Sequence, residues 1–245
     1  MLIFSIMQVE KITFQFYTTN TINATVTITI FFDILLAMEI LQNFVVFEGG
    51  DGSGTTTQIN LLAERLKNTG KPVFYQTFEP TESQIGRLIR SALKKELPLQ
   101  PQTLAMLFAA DRNEHLYGKN GIIDHISKGE FAVSDRYALS SLVYQGIECG
   151  DELPSFLNSP FPAPEITFFL DIDPKIALER MKQRSELEIY EYREFQEKVR
   201  EKYKNLIIKY RKAGARVEII DASKTAQEVA DLVWSVLSEM PIFKA

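Results

Sequence analysis

A short apolar run, a glycine-rich loop and a helical pattern follow one another in the first third of this chain. The run is Phe44–Phe47, and four glycines lie within residues 49–54. Apolar residues then recur at helical spacing at Ile59, Leu62, Ala63 and Leu66. A buried strand, a glycine loop and a helix in this order predict a phosphate-binding P-loop, whose pattern is G-x-x-x-x-G-K-[ST].

The loop departs from that pattern at one position. Gly49 and Gly54 occupy the glycine positions and Thr56 the hydroxyl position, but Thr55 stands where the pattern has lysine. The backbone N–H groups of such a loop, together with the positive end of the next helix, can hold phosphate without a lysine. A glycine-rich turn that binds nothing is the alternative, and the strand before the loop and the helix after it favour the P-loop.

Composition predicts a soluble globular protein. The chain has 245 residues, 45% of them hydrophobic and 24% charged, which suits one sizeable core in one domain. Its net charge of −5 argues against a protein that coats nucleic acid. A single cysteine, Cys149, excludes an internal disulfide and fits a reducing cytoplasm. We interpret both histidines, His115 and His125, as surface helix residues that form no metal cluster.

Residues 1–37 differ in composition from the rest of the chain. They carry only three charges, at Glu10, Lys11 and Asp33, and the first eight residues lack the basic region of a signal peptide. Polar residues interrupt the apolar ones too often for a membrane span. We expect the natural start at Met38, with residues 38–245 forming the P-loop domain and residues 1–37 a translated upstream extension or a poorly packed tail. A short threonine-rich hairpin is the alternative.

From Phe44 onward, strand patterns alternate with helical patterns. This alternation predicts an α/β fold with a five-stranded, mostly parallel sheet and helices on both faces. The predicted strands are Phe44–Phe47, Val73–Thr77, Phe131–Ser134, Glu165–Leu170 and Val217–Ile220. In such sheets, ligands bind at the carboxyl ends of the strands.

One segment places polar residues at this expected edge of the sheet. Asp135 and Arg136 follow the third predicted strand, where a carboxylate is typical of a magnesium site and an arginine suits a phosphate. A helix N-cap by Asp135 beside a solvated Arg136 is the alternative. Within a long predicted helix, Phe108 and Arg112 lie four residues apart and share one face, where they could stack on a base and bond its carbonyl edge. Core packing of Phe108 is the alternative there.

Taken together, these segments resemble a thymidylate kinase, and the likeness runs from about Phe44 to Leu237. The stretches that carry it are Phe47–Gln58, Glu79-Pro80, Leu107–Arg112, Ser134–Tyr137, Ser140–Gly146, Phe169–Ile172, Val199–Tyr203 and Ile220–Ala222. The resemblance implies a P-loop nucleoside-monophosphate-kinase fold. It also implies a cytoplasmic homodimer that transfers the γ-phosphoryl group of ATP to dTMP with Mg²⁺, without nucleic-acid or membrane partners.

The resemblance implies a role for each matching residue. ATP would be bound by Gly49, Gly50, Asp51, Gly52, Ser53, Gly54, Thr55, Thr56 and Thr57, and Mg²⁺ by Thr56 and Asp135. The residues implied for dTMP are Glu79, Pro80, Phe108, Arg112, Arg136, Ser141 and Tyr144. The implied catalytic residues are Asp51, Arg136 and Arg184.

In this interpretation, Phe108 stacks on thymine, while Arg112 and Ser141 contact the base. Tyr144 lies against the sugar and disfavours a ribose 2′-hydroxyl. Arg136 holds the dTMP phosphate above a cis-proline turn at Glu79-Pro80, and Asp51 binds the 3′-hydroxyl or a magnesium-bound water.

Three positions depart from the family pattern, and each departure removes a cation. Thr55 replaces the lysine, Phe78 stands where many bacterial members have arginine, and Glu186-Leu187 replaces Asp-Arg in the lid. One lost pre-organised charge typically costs roughly 10²–10³ in rate.

The start of the predicted lid offers cations that could compensate, at Arg180, Lys182 and Arg184. We expect Arg184 to replace the lysine, since a guanidinium can bridge two phosphates. Two other functions stay open: a kinase for another nucleotide or nucleoside, and a catalytically weak nucleotide-binding paralogue with a regulatory role. The missing lysine supports the paralogue, whereas the set of Phe108, Arg112 and Ser141 argues against a different acceptor.

Overall fold

The computed structural model describes residues 9–16, 24–31, 39–69, 72–182 and 189–244. The chain divides into two compact units, Met1–Met38 and Glu39–Ala245. The first unit contains an antiparallel hairpin of β1 (Val9–Phe16) and β2 (Ala24–Phe31). This is the hairpin considered for the threonine-rich stretch; the natural start at Met38 stays a prediction.

The second unit alternates strands with helices. Its strands are β3 (Ile40–Gly49), β4 (Phe74–Phe78), β5 (Phe131–Asp135), β6 (Ala163–Asp171) and β7 (Val217–Asp221). Its helices are α1 (Thr55–Thr69), α2 (Gln84–Leu93), α3 (Pro101–Tyr117), α4 (Ile122–Ser127), α5 (Ala138–Cys149), α6 (Glu152–Asn158), α7 (Pro174–Lys182), α8 (Ile189–Lys212) and α9 (Ala226–Leu237), followed by a 3₁₀ turn at Pro241–Phe243.

The five strands of this unit form one sheet in the order β4-β5-β3-β6-β7, and every neighbouring pair is parallel. The α/β fold with a five-stranded parallel sheet is therefore confirmed. The register aligns Phe47 of β3 and Phe78 of β4 with Asp135 of β5, so these three strands end at one edge. The phosphate loop leaves β3 at the same edge, which gathers the candidate site there.

The period of two along β3 directs side chains into cores on both faces of the sheet. Val45 and Phe47 belong to a buried cluster with residues of α1 and α9, such as Ile59 and Val233. Phe44, in contrast, belongs to a second cluster, with residues of α3, α4 and α5. Helices therefore cover both faces, as expected for an all-parallel sheet.

Helix α6 was not predicted from the sequence. Its seven residues are short of two helical turns and include Pro154, so no apolar period is visible. Within the described residues, no helix has the length and hydrophobicity that a membrane crossing needs. The predicted lid residues Arg184 and Glu186-Leu187 lie outside the described residues.

Candidate active site

The loop between β3 and α1 has the backbone geometry of an anion cradle. Gly52 and Gly54 adopt left-handed φ angles of 77° and 95°, which other L-residues seldom reach. A Cβ atom at Gly52 would also lie 2.8 Å from the carbonyl oxygen of Ala177. Helix α1 begins immediately after the loop, so its unpaired N–H groups and positive dipole end lie beside it.

The two side chains predicted to bind magnesium, Thr56 and Asp135, are hydrogen-bonded to each other. Thr56 Oγ1 donates a hydrogen bond to Asp135 Oδ2 at 2.5 Å. The second carboxylate oxygen, Asp135 Oδ1, is buried without a hydrogen-bond partner. Asp135 is therefore no N-cap, since α5 begins three residues later with Tyr137 before it. The alternative reading of Asp135 is wrong.

A cavity of about 780 Å³ lies over the loop. Its lining includes residues Gly50–Gln58, the end of β4, and Thr225–Ala226 at the start of α9. Thr55 lines it with a short, buried side chain in place of a lysine. The described cationic residues that line it are Arg90, Arg136, Arg180 and Lys224.

Asp51 in the loop is held by side chains from α5, from α8 and from the segment between β5 and α5. Its Oδ1 accepts hydrogen bonds from Arg136 Nη2 at 2.7 Å and from the Tyr144 hydroxyl at 3.3 Å. Its Oδ2 accepts from Gln196 Nε2 at 3.0 Å, and its own N–H donates to Gln196 Oε1 at 3.1 Å. Burial raises the pKa of Tyr144 to about 12, so its hydroxyl remains a donor at neutral pH.

The peptide bond between Glu79 and Pro80 is cis, as the resemblance implies. Glu79 is buried, and its carboxylate accepts from Arg112 Nη2 at 2.6 Å and contacts His115 Nδ1 at 3.1 Å. The other ring nitrogen of His115 lies 2.6 Å from Thr77 Oγ1. The surface interpretation of His115 is wrong because this network buries its ring beneath the turn. His125 is also partly buried, since its ring stacks on Tyr75 with centroids 3.6 Å apart.

A second cavity of about 340 Å³ adjoins the first. The structure brings all the residues implied for dTMP to its wall: Glu79, Pro80, Phe108, Arg112, Arg136, Ser141 and Tyr144. Phe108 is half-buried there, whereas Arg112 is buried and also donates to Ser141 Oγ at 3.1 Å and to Asn158. The two cavities share Asp51, Glu79, Pro80 and Arg136, so these residues stand between them.

Comparison with known proteins gives a consistent result. A family model described as thymidylate kinase matches residues 47–233. The "Putative thymidylate kinase" of Treponema pallidum (strain Nichols) is 43% identical over 185 residues, which cover 75% of this chain and 88% of that protein. The "Probable thymidylate kinase" of Pyrobaculum aerophilum is 41% identical over 202 residues, or 82% of this chain and 99% of that protein. A protein of the same name from Methanococcus maripaludis is 42% identical over 168 residues, or 68% and 78%.

The chain belongs to the thymidylate kinase family. In this thymidylate kinase relative, one departure from the family pattern has a structural context. Phe78 lies with its ring centroid 5.6 Å from the Arg90 guanidinium, which donates to the carbonyl oxygens of Pro80 and Thr81 at 2.6 Å each. An arginine therefore braces the turn from α2, although none stands at position 78.

Sequence reasoning missed three residues that support the candidate site of this thymidylate kinase relative: Arg90, Glu48 and Gln196. Glu48 and Gln196 are polar but buried, at 0% and 3% exposure. Gln196 lies on the same face of α8 as the buried Val199 and Tyr203, three and seven residues later. A polar residue on an otherwise apolar helix face is the signal that would have found it.

Proposed function

We propose that this chain transfers the γ-phosphoryl group of ATP to dTMP, giving ADP and dTDP. The observation that carries the proposal is the pair of adjoining cavities, one over the phosphate loop and one lined by Phe108, with Asp51 and Arg136 between them. A phosphoryl group can pass directly between two nucleotides bound in these cavities. Such a transfer needs no protein nucleophile, and catalysis comes from positioning and charge neutralisation.

The larger cavity would hold ATP, with its phosphates on the backbone N–H groups of the loop and the first turn of α1. Thr56 and Asp135 fit Mg²⁺, because hard oxygen ligands suit it and Asp135 Oδ1 is buried without a partner. When bound, the ion would neutralise charge on the β- and γ-phosphates. Thr57 lies on the same turn and would contact the phosphates as well.

The smaller cavity would hold dTMP. Phe108 would stack on the base, and Ser141 and Arg112 would contact its polar edge. Tyr144 would lie against the sugar beside Asp51. Arg136 would take the acceptor phosphate, exchanging its present bond to Asp51 for a stronger bidentate contact.

The oligomeric state and the cellular location are part of the proposal. We propose a homodimer, since Leu88 and Met106 on the neighbouring helices α2 and α3 are exposed and would suit burial against a second copy. We also propose a cytoplasmic location, which the single cysteine fits. Sedimentation at twice the chain mass is expected, and a monomer at micromolar concentration would contradict the dimer.

One observation favours a second function, a weak nucleotide-binding paralogue with a regulatory role. The buried side chain at the lysine position is Thr55, and it brings no charge to the phosphates. The described arginines of the large cavity argue for activity, because Arg136 and Arg180 lie on its wall.

Two measurements test the proposed function: the acceptor preference of the wild type and the KM for dTMP in Phe108→Ala. We expect the wild type to give a higher kcat/KM with dTMP than with UMP or CMP when ADP formation is followed with MgATP. Phe108→Ala should raise the KM for dTMP by about 10- to 100-fold, because base–aromatic stacking is worth about 1–3 kcal/mol. Phe156→Ala is the matched control, since that phenylalanine is exposed and lines neither cavity.

Two results would contradict this assignment. A higher kcat/KM with CMP or UMP would show that dTMP is not the preferred acceptor. An unchanged KM for dTMP in Phe108→Ala would return Phe108 to the core.

A further inference from the structure

Arg136 has an unusual backbone. Its φ angle is 72°, in the left-handed region that arginine rarely adopts. Such a conformation persists only where neighbouring groups hold it, and it is concentrated at functional sites. What holds this residue therefore also decides where its guanidinium points.

Three hydrogen bonds fix the backbone around Arg136. Its N–H donates to the Phe47 carbonyl oxygen at 2.9 Å, and its own carbonyl oxygen accepts from Ser134 Oγ at 2.8 Å. The next N–H, that of Tyr137, donates to Glu48 Oε1 at 3.0 Å. Of these three partners, Glu48 alone carries an ionisable group.

Glu48 also replaces a missing helix cap. Helix α5 starts at Ala138, and the side chain of its N-cap residue Tyr137 makes no capping hydrogen bond to the helix. Glu48 Oε1 instead accepts from the N–H of Ser140 at 3.2 Å as well as from Tyr137. A carboxylate at a helix N-terminus satisfies unpaired donors and interacts favourably with the dipole.

The second carboxylate oxygen connects the cap to the guanidinium. Glu48 Oε2 accepts from Ser140 Oγ at 2.5 Å and from the Tyr203 hydroxyl at 2.9 Å. Ser140 Oγ lies 3.4 Å from Arg136 Nη1. The carboxylate is fully buried, and burial raises the pKa of Glu48 to about 7 against the opposing effects of Ser140, Arg136 and Tyr203.

We propose that Glu48 is the positioning residue for Arg136: it holds the left-handed segment and the start of α5 so that the guanidinium faces the acceptor phosphate. This inference rests on the proposed function, in which Arg136 binds dTMP. Glu48 lines neither cavity, so it acts through Arg136 and Ser140.

The test compares Glu48→Gln with the wild type at about pH 8, where the carboxylate is mostly ionised. The amide has one acceptor oxygen, which cannot serve both the two N–H groups and the two hydroxyls. We expect the KM for dTMP to rise about tenfold, with the KM for ATP nearly unchanged.

Glu165→Gln is the matched control. Glu165 also accepts from the N–H of a left-handed residue, Asn43 with φ 60°, but it lines neither cavity and lies at the start of the neighbouring strand β6. It should lower the melting temperature without changing the KM for dTMP.

Tyr203→Phe keeps the proposal testable if Glu48→Gln does not fold. The tyrosine lies behind the carboxylate, lines neither cavity and keeps its ring contact with Phe169 when the hydroxyl is removed. Its hydroxyl contacts Glu48 Oε2 at 2.9 Å and Ser140 Oγ at 2.8 Å, so its removal should raise the KM for dTMP about threefold through these two residues.

A double-mutant cycle distinguishes the positioning role of Glu48 from the proposed role of Arg136 in binding dTMP. Glu48→Gln should cost little further activity in an Arg136→Ala background, because both changes remove one interaction. If both Glu48→Gln and Tyr203→Phe leave the KM for dTMP unchanged while Arg136→Ala raises it, Glu48 is structural only. If Arg136→Ala itself leaves dTMP kinetics unchanged, the proposed role of Arg136 falls, and this inference falls with it.

Discussion

Arg136→Ala is expected to lower kcat/KM for dTMP by about 10²–10³-fold, the usual cost of losing one pre-organised charge at a transition state. The guanidinium stands between the two cavities and is held by Asp51 at 2.7 Å. It would neutralise the acceptor phosphate as the phosphoryl group arrives. Steady-state kinetics with each substrate varied in turn, and calorimetry with ATP alone, measure the effect.

ATP binding should stay close to that of the wild type, because the loop and α1 hold the donor. Arg216→Ala is the matched control: that arginine pairs with Glu218 on the surface at 3.0 Å and lines neither cavity. Unchanged dTMP kinetics together with weak ATP binding would reverse the assignment of Arg136.

Asp135→Asn should lower kcat/KM for MgATP by roughly 10²–10³-fold, because it removes one negative charge and one oxygen from the proposed magnesium site. The amide can still accept from Thr56, so the fold should survive. The measurement is the rate as a function of Mg²⁺ concentration, whose half-saturation point should move upward.

Asp231→Asn is the control for this change. Asp231 pairs with Arg65 on the surface of α9 at 2.7 Å, away from both cavities. Equal Mg²⁺ dependence in Asp135→Asn and the wild type would show that Asp135 only orders Thr56.

The sequence was sufficient to predict the sheet and the position of the site. Its strands are short apolar runs, and the loop after β3 carries its own glycine signature. Because parallel strands end at one edge, the position of Asp135 followed from the order of the elements, whereas Glu79 was implied by the resemblance. The prediction of β3 began four residues late, since Ile40–Asn43 contains polar residues and a register shift before Val45.

The supporting contacts could not be predicted in this way. Glu48 and Tyr203 are 155 residues apart, and nothing local to either announces their hydrogen bond. His115 has an ordinary helical context, and its ring is buried by contacts with Thr77 and Glu79, 38 and 36 residues away. Gln196 reaches Asp51 across 145 residues. Such pairs depend on how whole elements pack, and a pattern with a period of two or 3.6 does not contain that information.

The residue at the lysine position bears most directly on whether this chain is catalytically active. Thr55 adds no charge, so in the proposed function the loop backbone and the cations of the large cavity other than Arg136 would hold the phosphates of ATP. Arg180 is one described cation on the cavity wall, where its contacts are two carbonyl oxygens at 3.5 Å. Arg184, the cation predicted to replace the lysine, lies outside the described residues, and that role stays a prediction.

The most direct test is the turnover of dTMP by the wild type and by Thr55→Lys, measured as dTDP formed with MgATP at saturation. We expect the wild type to turn over at about 1–100 s⁻¹, as kinases do, and Thr55→Lys to change kcat by less than about tenfold. An inactive wild type together with a gain of about 100-fold in Thr55→Lys would contradict this. A gain of that size would show that no other cation compensates for the missing lysine. The chain would then be a nucleotide-binding relative without its own catalysis.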